Sequence, residues 1–141
     1  MMNNENVKKY IKLFSDLTPE KIRFFDEIID KNIVFIDPFN NVKGSENFKK
    51  IFYHMFKNVK NPKFSVLDFS IGKKNVYLKW EMSFIAFNSN QKIEGVSEII
   101  LNKNGKICSH IDYWDSLNGL FIKLPFIGVL YRLSLRLFSD S

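Results

Sequence analysis

Leu78-Lys79-Trp80-Glu81-Met82-Ser83-Phe84 alternates apolar and polar residues without a break. That period of two belongs to an antiparallel strand with one face on a core and the other in water. Upstream of Pro62 the apolar residues recur at helical spacing instead, so the chain changes from helix to sheet near that proline. Turn clusters at Gly72 to Asn75, Asn88 to Asn90 and Asn102 to Gly105 then cut the second half into four strands, over 63–71, 76–87, 92–101 and 106–115. Segments this close together join as a meander.

In the first half, Val7, Tyr10, Ile11 and Phe14 mark one face of a helix that ends near Ser15 and Asp16. Thr18, Pro19 and Glu20 supply an N-cap, a first-turn proline and a first-turn acid for a second helix with Ile22, Phe25 and Ile29 on its apolar face. Ile33 to Ile36 is a short strand closed by Asp37 and Pro38, because proline holds the residue before it in extended geometry. Gly44 and Ser45 open a third helix with Phe48, Ile51, Phe52, Met55, Phe56 and Val59 along one face, stopped by Asn61 and Pro62. The order predicts an α+β domain in which one curved antiparallel sheet covers three helices of the N-terminal half.

With 141 residues, 45% of them hydrophobic, the chain can bury a core without staples. Cys108 is the single cysteine, which predicts a reducing, cytoplasmic setting and no zinc cluster. The polar start predicts no secretory signal. The net charge of +6 is spread along the chain, which predicts a solubilising surface and no nucleic-acid partner. Two histidines and no glycine-rich phosphate loop predict neither metal nor cofactor. Residues 1–116 form the predicted domain. The segment 117–141 is apolar with Lys123, Arg132 and Arg136, and reads as a lid, a dimer contact or a peripheral membrane contact.

Carboxylates pressed against apolar walls become general bases, and two aspartates end apolar strands here: Asp37 in Ile36-Asp37-Pro38-Phe39 and Asp112 in His110-Ile111-Asp112. Asp37 before a proline has two uses, as a base or as a turn residue that ties down its own backbone. His110 and Asp112, two apart on a strand, are a base with its orienting carboxylate or a buried pair that supports the sheet. Trp80, Trp114 and Phe84 fall on the concave side of the sheet, where a pocket opens. Val96 and Ile100 fall on the outer side, where a homodimer forms. His54 lies beside the apolar stripe of its helix and is read as a surface residue, and Asp115 points away from the pocket.

The order of elements, with Tyr10 in the first helix, Asp37-Pro38-Phe39 after the first strand, Gly44 before the third helix, and Gly105, Tyr113 and Trp114 around the last strand, resembles the ketosteroid isomerase and polyketide cyclase (SnoaL-like) branch of the nuclear transport factor 2-like superfamily. The resemblance implies a cone-shaped fold with an apolar cavity, Asp37 as general base, and Tyr10 in the hydrogen-bond network behind an oxyanion hole. It places Ser97 where such isomerases keep an acidic oxyanion donor and Phe52 where they keep a tyrosine, so a steroid-type enolate would be poorly held. The cyclases and limonene epoxide hydrolases of the superfamily carry an essential aspartate on the last strand. With Trp114 facing the cavity, alternation puts Asp112, His110 and Cys108 on the same face. The arginine and aspartate of the epoxide hydrolases have no match, since Lys79 and Glu81 face outward. The resemblance thus implies a hydrophobic small molecule as partner, handled by an isomerase, cyclase or lyase reaction or simply carried.

Overall fold

A computed structural model of the chain describes residues 4–86 and 88–119. Helix α1 (Asn4–Ser15) is followed by a 3-10 helix (Pro19–Glu27), strands β1 (Ile29–Ile36) and β2 (Asn41–Lys43), helix α2 (Ser45–Asn58), strands β3 (Lys60–Ile71), β4 (Val76–Ala86), β5 (Ser89–Leu101) and β6 (Ile107–Trp114), and a short helix α3 (Ser116–Gly119). The expected segment 117–141 lies, beyond Gly119, outside the described residues.

The second helix is 3-10 rather than α, and Thr18 makes no side-chain cap. Its apolar residues explain the winding: Ile22, Phe25 and Ile28 recur every third residue and all are buried, and a 3-10 helix stacks residues three apart on one face. The third helix begins where expected. Gly44 precedes it at a φ of 99°, a conformation that favours glycine, and its carbonyl accepts the Phe48 N–H. The helix stops at Asn58, two residues short of the expected stop, and Asn61 and Pro62 lie within β3 at an irregularity between Lys60 and Lys63.

The four later strands form the expected antiparallel meander. Two pairings were not readable beforehand. β1 lies parallel to β6, and the small β2 adds to its other side, so the six-stranded mixed sheet runs β2-β1-β6-β5-β4-β3 and stays open. The helices cover its concave face as a cone. Phenylalanines fill the space between: the Phe25 ring meets those of Phe14 and Phe48 at 5.0 and 5.1 Å, and Phe48 meets Phe52 at 5.1 Å. Each such ring, fully buried, contributes about 1.5 to 3 kcal/mol. Lys49 is also buried, held by Asp26 at 2.7 Å and Glu46 at 2.8 Å. These two bonds push its ammonium pKa upward and tie α2 to the 3-10 helix.

Alternation holds along β4, with Val76, Leu78, Trp80, Met82 and Phe84 all buried. On β6 it slips by one residue. Ile100 faces Ser109 while Leu101 faces Ile107, so Cys108 is an extra, bulged residue. Ile107 takes the core position expected for Cys108, whose Sγ turns to the Ile100 carbonyl at 3.4 Å. Burial, with the charge of Asp30 adding to it, raises the pKa of that thiol. Among the described residues no helix is long and apolar enough to cross a membrane.

Candidate functional site

A cavity of about 930 Å³ opens between the concave face of the sheet and α2. Trp80, Trp114, Phe52, Phe84 and Ser97 line it, as do Asp37, His110 and Asp112. The parallel pairing of β1 with β6 brings the two aspartates to one wall, because Ile36 and Ile111, the residues just before them, are in register. Tyr10 is not on that wall. It sits behind His110 with 1% of its surface exposed.

A continuous hydrogen-bonded chain runs through the wall. The indole Nε1–H of Trp80 donates to Ser97 Oγ at 2.8 Å, and Ser97 donates to Asp112 Oδ1. From the other side His110 Nε2 meets the same Oδ1 at 2.6 Å, while its Nδ1 meets the Tyr10 hydroxyl at 2.7 Å. Indole N–H can only donate and an ionised carboxylate can only accept, so against an ionised Asp112 both Ser97 and His110 Nε2 donate, and a neutral His110 then takes the Tyr10 proton on Nδ1. Burial, with the charge of Asp112 adding to it, drives the Tyr10 pKa well up, which keeps the phenol protonated for that task. Both bonds fall on Oδ1. Among the described residues no donor reaches Asp112 Oδ2.

Asp37 is differently engaged. Its Oδ1 accepts the backbone N–H groups of Phe39 at 2.8 Å and Asn40 at 2.6 Å, and the Asn40 side-chain amide reaches both carboxylate oxygens. Its own N–H returns to the Asn40 carbonyl, closing a tight turn. This turn holds out Phe39, which packs edge-on to Trp114 at 5.6 Å. At the opposite lip, α2 presents Asn47, Lys50, His54 and Asn58. His54 is exposed, as expected, yet also belongs to the rim. Lys79 and Glu81 face outward and pair with Glu94 and Lys92 across the sheet. Asp115 caps α3 by accepting the Asn118 N–H.

Sequence reasoning missed Gly95. It faces Trp80 on one side and Trp114 on the other. A glycine in the middle of an otherwise regular strand signals a close approach, and that signal was available.

The family described as "Uncharacterized conserved protein (DUF2358)" matches residues 9–110, from α1 through the histidine of the relay. This chain belongs to the DUF2358 family. Among curated proteins none matches it in sequence. Solved structures do match the DUF2358 chain in shape. A protein from Catenulispora acidiphila with a ketosteroid isomerase-like fold, in complex with trimethylamine, superposes with a TM-score of 0.69 at 11% identity, covering 83% of this chain and 90% of that one. A protein from Jannaschia sp. named as a SnoaL-like polyketide cyclase gives 0.67 at 15% identity, with 83% and 90% covered. An LEH-like epoxide hydrolase from M. tuberculosis gives 0.66 at 14% identity, with 95% and 93% covered. At these identities the likeness is one of fold, and the fold of the DUF2358 chain is nuclear transport factor 2-like.

Proposed function

We propose that this chain binds a hydrophobic small molecule in its aromatic cavity and that Asp112 accepts a proton from it, in a cofactor-independent isomerase, cyclase or lyase reaction. The observation that carries this reading is the buried chain from Tyr10 through His110 to Asp112, which ends on a carboxylate at an apolar wall. A base positioned this way gains about a hundred-fold or more over the same group free in water. His110 keeps one orientation because both ring nitrogens are engaged, and Tyr10 supports it from behind. Asp37, whose carboxylate closes its own turn, shapes the mouth through Phe39.

The direction of the bonds narrows the substrate. Trp80, Ser97 and His110 are the donors of the inner wall, and each directs its proton to another protein group. A charge localised on one enolate oxygen would lack a donor worth about 3 kcal/mol. The substrate that suits this wall spreads the charge through its own conjugated system, as an aromatic or polycyclic carbonyl compound does. The trimethylamine complex of the Catenulispora protein supports small-molecule occupancy of such a cone.

Nitrobenzisoxazole tests the reading, because it is flat, apolar and disperses its own charge. The base removes the ring C–H proton, the N–O bond breaks, and a coloured cyanonitrophenolate leaves. Saturable turnover is expected, with a loss of about a hundred-fold in Asp112→Asn and probe binding retained. Tight retention of an apolar dye, together with no Asp112-dependent turnover, would instead assign the cavity to carriage of a lipid-like ligand.

A further inference from the structure

The arm on the far side of Asp112 begins at a residue that has no side chain. Trp80 on β4 stands directly opposite Gly95 on β5. A Cβ added at Gly95 would come under 3.0 Å from three atoms of the Trp80 indole. The indole therefore lies across β5 in space that any other residue would fill. From there its Nε1–H reaches Ser97, two residues along the strand, at 2.8 Å in a buried bond. Ser97 in turn stands directly opposite Asp112 on β6.

A serine hydroxyl is a free rotor that can donate in any direction open to it. Here the indole donor occupies one side of Oγ, and the serine proton is turned to Asp112 Oδ1. With His110 donating to the same oxygen, Oδ1 is held from two strands' worth of donors and the carboxylate plane is pinned. From this geometry we propose that Gly95, Trp80 and Ser97 are positioning residues that direct the Ser97 proton to Oδ1 and so leave Oδ2 as the oxygen offered to a guest in the cavity. The proposal rests on Asp112 being the proton acceptor. The arm crosses three strands of the sheet and acts through Asp112 without touching the reacting atoms.

Two measurements test it on the full chain. Trp80→Phe keeps the ring bulk and removes the donor, while Ser97→Ala removes the relay. By NMR, the Trp80 indole N–H, identified by its loss in Trp80→Phe, exchanges slowly with solvent in the parent. It loses that protection in Ser97→Ala and regains it in Ser97→Thr. With nitrobenzisoxazole, each single variant lowers kcat about ten-fold, the size expected when the Ser97 bond to the Asp112 carboxylate is lost, directly in Ser97→Ala and by misdirection of the serine proton in Trp80→Phe, with little change in KM. The double variant is no slower than the slower single one, because both changes break one relay. Losses that multiply in the double variant, or an indole signal indifferent to Ser97→Ala, overturn the proposal. Turnover that survives Asp112→Asn, with the indole responding as described, overturns Asp112 as the acceptor and leaves the hydrogen-bonded arm supported.

Discussion

Tyr10 and His110 are one hundred residues apart in the chain, and the tyrosine hydroxyl lies 2.7 Å from the histidine Nδ1. The bond joins the first helix to the last strand of the sheet and closes the relay behind Asp112. It also lies among aromatic rings, with Phe14 4.9 Å and Phe25 5.7 Å from the Tyr10 ring. A polar contact buried this deeply is costly to break, because the partner left behind cannot turn to water.

Tyr10→Phe is expected to destabilise the protein by about 1 to 3 kcal/mol at neutral pH, the cost of leaving the histidine nitrogen unsatisfied. The folded state raises the Tyr10 pKa, so the unfolded chain releases this proton first as pH rises. The stability linked to protonated Tyr10 is whole below about pH 10, the value of a free tyrosine, and falls as pH climbs toward the folded value. Urea unfolding at pH 7 and at high pH checks this: the gap between parent and variant is expected to narrow under alkaline conditions.

Gly95→Ala forces the Trp80 ring out of its place across β5. A cost of about 1 to 3 kcal/mol is expected from overpacking, and the displaced ring enters the cavity. Thermal unfolding reads the first effect. Weaker binding of an apolar fluorescent dye reads the second.

Asp37→Ala removes the acceptor of two backbone N–H groups in the turn before β2. A loss of about 1 to 2 kcal/mol is expected, together with faster amide exchange at Phe39 and Asn40. Asp37→Asn keeps an acceptor oxygen, so its loss is expected to be smaller. Equal losses in the two variants would show that the charge, rather than the bonds, holds the turn.

Cys108 is expected to react slowly with a disulfide reagent at mildly alkaline pH, because burial and Asp30 disfavour its thiolate. The same protein unfolded in urea is the control. Labelling is expected to speed up on unfolding and, in the folded protein, only as pH rises past the range of an ordinary thiol.

The relay was half legible beforehand. Period-two alternation counted back from Trp114 put His110 and Asp112 on one face of a strand, and both line the cavity. The same count put Cys108 with them, and a one-residue bulge removed it. A bulge depends on how two strands settle against one another, which no pattern within either strand records. Asp37 was ambiguous for a different reason. Asp-Pro reads equally as a strand end and as a turn, and only the closeness of the Phe39 and Asn40 amides shows where the carboxylate is used.

What local sequence determined is what local chemistry controls: the unbroken alternation of β4, the helix starts at Pro19 and Ser45, and the meander cut by its turn clusters. Periodicity dictates which face of an element is apolar, and an apolar face must be covered. Tertiary structure alone decided the parallel docking of β1 on β6, the place of Tyr10 behind His110, and the space at Gly95 that an indole fills. Each of these joins residues distant in the chain, where the choice among partners is made by packing and by satisfying buried donors.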